Sequence, residues 1–258
     1  MAIAYFDCFS GISGDMILGA LVDAGLDLEI LKEELKKLPV DDYRLTQKLV
    51  TRQHIAGTKV DIVIRTSAGA EVIEGPNIDI SHNHEGPGHH LADLVSVVER
   101  STLKQKIKQQ SIDIFEQLAT AESKVHGIPK QEVHLHEVSG LDAIIDIVGS
   151  CIGLALLDIE KVYCSALPMS RGFIKCMHGL MPVPAPGALE LMRNIPIYNT
   201  QIDGELVTPT GAAFLKATAK EPGVFPKMVI KKIGYGAGTK NIPGHPNLLR
   251  VCLGDQLD

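Results

Sequence analysis

Apolar and polar positions alternate with two different periods along this chain of 258 residues, and the switches between them predict most of its elements. Ala2–Phe6 is a short apolar run that ends at Asp7, a strand feeding the turn SGISGD. Helical spacing follows over Asp15–Ala24 and Leu28–Leu38, with Gly25 as the stop between them and Pro39 after the second. Arg44–Val50 and Thr58–Arg65 alternate with period two, which predicts paired strands joined by residues 51–57. Residues 67–88 mix Gly, Pro and Asn without a period and predict a loop. His89–Glu99 and Leu103–His126 predict two helices, with Ser101 as the N-cap between them.

Leu141–Leu157 is apolar enough for a buried helix, and Val162–Pro168 and Gly172–Cys176 predict strands. Prolines in MPVPAPGALELMR and TPTGAAFLKATAK fall at or before helix starts, where a missing N–H costs least. Met228–Ile233 and Leu248–Leu253 complete the strands. The order predicts an α/β fold, with mixed α+β as the near variant: a mixed sheet, flanking helices and a His-rich loop. The expected division is an N-terminal α/β subdomain over 1–66, a His-rich loop or linker over 67–88, and a main α/β subdomain over 89–258.

Composition narrows the class. The net charge of −6 and the scattered Lys and Arg residues form no basic face, and aromatics at 4% offer no platform for stacked bases, so nucleic acid is not an expected partner. Five cysteines, odd in number and far apart, suit reduced thiols in a cytosolic protein. The longest apolar run is broken by Asp146 and Gly149 and is too short to span a bilayer, so no membrane is expected either.

The chemistry that stands out is imidazole. His82, His84, His89 and His90 fall within nine residues of SHNHEGPGHH, His134 and His136 form HLHE, and His178 follows Cys176 in CMHG. Imidazole suits Ni, Zn and Cu, and a nearby thiolate sharpens that preference. In an extended segment His134 and His136 project from one face and can share an ion, with Glu137 on the other face as a base or a supporting partner. Asp142 and Asp146 follow four residues apart on the next helix. The metal candidates are therefore His82, His84, His89, His90, His134, His136, Cys176 and His178, and the catalytic candidates Glu137, His136 and Asp142.

Ser10, Gly11, Ser13, Gly14 and Asp15 occupy the strand-to-helix turn of DCFSGISGDM, where exposed N–H groups can hold a phosphate. Arg171, in SRGF, is the basic residue best placed for a phosphate or carboxylate. From these residues the chain reads as a transition-metal protein, and the readings weighed beside a metal enzyme are a nickel or zinc metallochaperone without catalysis, a zinc-dependent hydrolase using an activated water, and a scaffold whose histidines are incidental.

Taken together, FDCFSGISGDMILGALVDAGL, HHLADLVSVVERS, VHLHEVSGLDAIIDIVG, SALPMSRGFIKCMHGLMPVPAPGALELM, GELVTPTGAAFLK, IGYGAGTK and PNLLRV resemble, in this order, the LarC family of nickel insertases. The resemblance runs over almost the whole chain. It implies Ni(II) insertion into pyridinium-3,5-bisthiocarboxylic acid mononucleotide, between its two sulfurs and ring C4, to complete the nickel-pincer cofactor of lactate racemase. It also implies a CTP-dependent cyclometallation with Mg or Mn. Family members continue into a second domain associated with CTP, so this chain is expected to be their first half, with that C-terminal domain as a partner. A homo-oligomer is expected, and the apo racemase is a further partner that the resemblance raises.

Overall fold

A computed structural model describes residues 1–65, 71–73, 90–135, 140–176 and 178–257 of the chain. The fold is mixed α/β, as the patterning predicts. Its frame is a seven-stranded sheet in the order β2 (Tyr43–Arg52), β3 (Ile55–Arg65), β10 (Met228–Ala237), β11 (Leu248–Gln256), β1 (Ala2–Asp7) and β5 (Lys161–Cys164), with β4 (Glu71–Ile73) pairing β3. β1 runs antiparallel to β11 and parallel to the edge strand β5, so the sheet is mixed.

The helices are α1 (Gly14–Asp23), α2 (Leu28–Leu35), α3 (Leu91–Arg100), α4 (Gln105–His126), α5 (Leu141–Leu156), α6 (Pro186–Leu191) and α7 (Pro209–Thr218). α1 packs on β3, β10 and β11, with α5 behind it, and α4 links α3, α5, α6 and α7. β1 shows why its run is apolar throughout. Ala4 and Phe6 join the main core under the helices, whereas Ile3 and Tyr5 meet Tyr163 and Cys252 in a smaller cluster. Both faces of a central strand are thereby removed from water, which is the chief driving force here. α1 lies very close to the sheet: a Cβ at Gly236 would collide with the Met16 carbonyl, so only glycine admits the helix there.

Several boundaries differ from expectation: β4 falls inside the stretch 67–88 read as loop, the run Val162–Pro168 divides between β5 and a further strand that begins at Leu167, and β10 continues past Ile233 to Ala237. β2 and β3 extend to Arg52 and Ile55, leaving a two-residue turn in place of the loop 51–57. Gln53 and His54 both take positive φ, 45° and 67°, the combination that matches the twist of a tight hairpin. Ser101 closes α3 instead of opening α4: its hydroxyl donates to the Val98 carbonyl at 2.6 Å, and Lys104 is the N-cap of α4.

Outside the main sheet, β6 (Leu167–Arg171) pairs in parallel with β9 (Ile197–Asp203), and β7 (Phe173–Cys176) forms a hairpin with β8 (Gly179–Pro182). α7 starts on Thr208, whose hydroxyl accepts from the Gly211 N–H at 3.2 Å, with Pro209 next. Thr208→Ala should cost about 1 kcal/mol in a urea melt, the usual loss of an N-cap; an unchanged midpoint would show that packing alone fixes this helix start.

Candidate functional site

The α4 helix ends in a buried carboxylate and a histidine on one face. Glu122 and His126 are four residues apart, and Glu122 is only 4% exposed. The His126 Nε2 lies 3.3 Å from the Glu122 Oε2. The opposite oxygen, Oε1, rests over the first turn of α6, where any Cβ on Gly187 would overlap it. Burial pushes the Glu122 acid up, against the pull of His126 and His178. His178, at the turn of the β7–β8 hairpin, completes the group, its ring centre 5.0 Å from that of His126.

The hairpin sorts its side chains by face. Residues opposite each other in an antiparallel pair share a face; Phe173, Lys175, Leu180 and Pro182 form an exposed one, and Ile174, Cys176 and Met181 a half-buried one. Cys176 therefore points to the protein-facing side of the arm.

A second pair of imidazoles forms where the chain enters α3. His90 and His134 make an antiparallel bridge, and their ring centres are 4.1 Å apart with a 45° tilt. The His90 Nδ1 is 3.1 Å from the Val133 carbonyl. A carbonyl can only accept, so Nδ1 is the nitrogen that donates here. His134 thus meets a histidine from the other side of α4 in sequence. His82, His84, His89, His136 and Glu137 lie outside the described residues. Among the described residues no three His, Cys, Asp or Glu side chains converge as a ready metal cage.

The SGISGD turn is built around carboxylates. Gly11, at φ +91°, sits against the Leu206 carbonyl, and Ile12 donates to that oxygen at 2.9 Å. Asp15 accepts from the Ser13 hydroxyl, from the Met16 N–H at 2.9 Å and from Lys59 Nζ at 2.7 Å; Thr239 reaches it at 3.3 Å. Lys59 is 4% exposed and also pairs with Asp61 at 3.0 Å. Burial alone would push Lys59 down, but Asp15 and Asp61 outweigh it and hold it above the ordinary lysine value.

Gly14 has no side chain, and the Asp146 carboxyl fills that space: a Cβ on Gly14 would lie 2.6 Å from its Cγ. Asp146 Oδ1 is shut from solvent without a hydrogen-bond partner among the described residues. Burial, with Asp15 and Asp142 adding, holds the Asp146 acid far above the usual carboxylate range, with Lys59 opposing. Asp142 is in the first turn of α5.

Ser10 is fully buried and contacts His245 Nε2 at 2.5 Å while donating to the Pro246 carbonyl. With its only proton so used, the hydroxyl accepts from Nε2–H, and burial keeps His245 low and neutral. Arg171 is exposed on β6, paired with Asp203 and Gln201, each at 2.7 Å. A cavity of about 410 Å³ beside α6, lined by Leu189, Met192, Arg193 and Ile195 among others, includes none of these candidates.

Sequence spacing missed Glu122, His126 and His245. The signal for the first two was present as E-x-x-x-H at the end of a long amphipathic helix, with the Glu on its apolar face.

A mixed α/β frame that pairs imidazoles from separate segments, one pair backed by a buried carboxylate, suits a protein that handles a transition metal. The chain belongs to the nickel insertion protein family, which matches residues 4–258. It is 46% identical over 258 residues to the pyridinium-3,5-bisthiocarboxylic acid mononucleotide nickel insertion protein of Desulfitobacterium hafniense (strain DSM 10664 / DCB-2). It is 43% identical over 256 residues to the protein of that name from Geobacillus kaustophilus (strain HTA426). In each case the match takes in 99–100% of this chain and 60% of the relative, so the chain spans about three fifths of their length. No solved structure matches.

Proposed function

We propose that this chain binds Ni²⁺ through its histidines and delivers it to pyridinium-3,5-bisthiocarboxylic acid mononucleotide, as part of the insertion that completes the nickel-pincer cofactor of lactate racemase-type enzymes. The observation that carries the reading is the pairing of imidazoles from distant segments, His90 with His134 and His126 with His178, in a chain of the nickel insertion family. Imidazole holds Ni²⁺ firmly enough to collect it, and the softer sulfurs of the nucleotide are suited to draw it away.

Nickel then replaces the hydrogen on ring C4: the C4–H bond breaks, its electron pair goes to the metal–carbon bond, and the proton passes to a base. His134 and Asp142 are described candidates for that proton; Glu137 and His136 are candidates outside the described residues. Arg171 is the proposed partner of the substrate phosphate, since its ion pair with Asp203 is exposed on both sides and such pairs exchange at little cost.

Ser10, Gly11, Ser13, Gly14 and Asp15 were expected to cradle phosphate, but Asp15 already places a carboxylate at the α1 N-terminus, with Asp146 beside it. The Asp15 carboxyl already takes the Met16 N–H and the Lys59 Nζ at this turn, so a phosphate chain would have to displace it, and no step is routed through CTP or its Mg or Mn here. The turn is proposed instead to face the cationic part of the substrate, the pyridinium ring. The CTP-dependent part of the reaction is assigned to the length of the relatives that this chain does not span. A cytoplasmic setting belongs to the same proposal, supported by five unpaired cysteines and by the absence, among the described residues, of a helix long and apolar enough to cross a membrane.

The test is direct. The chain, the portion of a relative that it lacks, Ni²⁺, CTP and the bisthiocarboxylated nucleotide are combined, and the nucleotide is weighed by mass spectrometry. A nickel-loaded nucleotide is expected. Nickel passed to an apo racemase with the nucleotide unchanged would favour a metallochaperone. In calorimetry, His134→Ala and His136→Ala should lower Ni²⁺ affinity more than His82→Ala; equal affinities for all three would make HLHE structural.

A further inference from the structure

We propose that His126 and His178 form a two-imidazole landing site for a soft divalent cation, with Glu122 as the positioning residue behind it. The inference deepens the nickel reading above and rests on it. That reading counts His126 and His178 only as neighbouring imidazoles; assigning them one shared ion, with Glu122 behind, is the step added here.

The argument starts from the buried acid. Glutamate is almost never fully buried unless it is paired, and a desolvated carboxylate needs a donor or a cation. Glu122 sits in a space made for it, since Gly187 supplies room that any larger residue would remove. Its recorded partner is His126 Nε2 at 3.3 Å. A carboxylate oxygen accepts from a ring N–H, so Nε2 is the nitrogen turned to Glu122, and Nδ1 is the one turned away from it. A carboxylate behind a histidine in this way fixes the tautomer, orients the ring and makes the other nitrogen a better ligand.

Ring spacing separates this pair from the other. With nitrogen-to-metal lengths of about 2.1 Å and roughly 1.1 Å from nitrogen to ring centre, two imidazoles sharing one ion at about 90–110° place their centres about 4.5–5.2 Å apart. His126 and His178 are at 5.0 Å, inside that range. His90 and His134, at 4.1 Å, would need an angle of about 80° at a shared ion, a tighter fit than the other pair.

Two protein ligands leave the remaining coordination positions to water or to an incoming sulfur donor. A site that must release its metal needs such openings, whereas closed four-ligand sites are structural. Cys176, two residues before His178, lies on the half-buried face of the arm with Ile174 and Met181.

The experiment titrates the 258-residue chain with NiCl₂ by calorimetry and counts coordinated imidazoles by X-ray absorption at the nickel edge. His126→Gln and His178→Gln are each expected to weaken Ni²⁺ binding about tenfold or more and to remove one imidazole from the spectrum. Glu122→Gln should weaken binding roughly tenfold, as loss of a partner behind a metal-bound histidine does, and shift the edge spectrum with both imidazoles retained. Wild-type affinity and imidazole count in both histidine variants, with unchanged melting temperatures, would overturn the placement while leaving the nickel reading intact. A wild-type chain that binds no Ni²⁺ would overturn both. If Glu122→Gln does not fold, the two histidine variants, whose rings lie nearer the surface, decide the matter alone.

Discussion

Lys59→Met is expected to destabilise the protein by about 3–5 kcal/mol, the cost of leaving a buried charge without its partner. Lys59 joins the turn before α1 to strand β3. Its Nζ donates to Asp15 at 2.7 Å, to Asp61 at 3.0 Å and to the Val60 carbonyl at 3.2 Å, in a setting 4% exposed. Asp61 keeps Lys48 at 2.7 Å when Lys59 is removed; Asp15 has only hydrogen bonds from Ser13, Met16 and Thr239. The stranded charge is therefore that of Asp15, beside Asp146. Adding Asp15→Asn should recover part of the loss, because the pair would then be removed from both sides. Urea unfolding of the two variants measures this, and a loss under about 1 kcal/mol for Lys59→Met would mean that water already reaches the pair.

Asp146→Asn is expected to stabilise the fold at pH 8 and to change little near about pH 3, where the carboxyl is protonated in the folded and the unfolded chain alike. The folded-state acid of Asp146 lies far above the usual carboxylate value, whereas the unfolded chain ionises near about 3.9. The native state thus holds its proton when the unfolded state has lost its own, and stability falls as pH rises from that point toward the folded value. An amide is neutral throughout and does not share the decline. Each kcal/mol so recovered should raise the melting midpoint by about 2–4 °C for a chain of this size. Parallel pH profiles for variant and parent would show that Asp146 is solvated or paired after all. Asp61 works in the opposite sense: although burial resists it, Lys48 and Lys59 hold its acid low, so its contribution is lost on acidification.

The frame was legible in the sequence wherever one physical demand governed a segment. β1 and α5 are apolar because they are enclosed, and β3 is buried on both faces over Lys59–Val63, whereas β2 beside it is mostly exposed with Leu45 turned to the core. β8 and β9 were not legible. β8 is four residues of mostly exposed surface, and β9 has no regular alternation because it is partnered only by β6 at the margin. Ser101 was assigned to the wrong helix because the same hydroxyl can satisfy a carbonyl before it or an N–H after it.

The site divides in the same way. The histidine clusters were visible as local composition, but their partners depend on the fold. Asp15 meets Lys59 from 44 residues away, and His126 meets His178 across α5 and the strands that follow it. Even Glu122, four residues from His126, acquires meaning only once α6 closes over it. The nickel itself came from kinship and not from geometry, since two imidazoles serve zinc or copper as well.

The β7–β8 arm shares no strand with the main sheet, and an isolated two-stranded ribbon has little stability of its own. Its half-buried face, which carries Ile174 and Met181, is the part of it that can be held. The gap between the two rings is therefore governed by how firmly a light lever is anchored, while α4 stays fixed in the globule. Wear at that anchor would register first as mis-set spacing at the histidines, with the unfolding free energy of the whole molecule almost untouched.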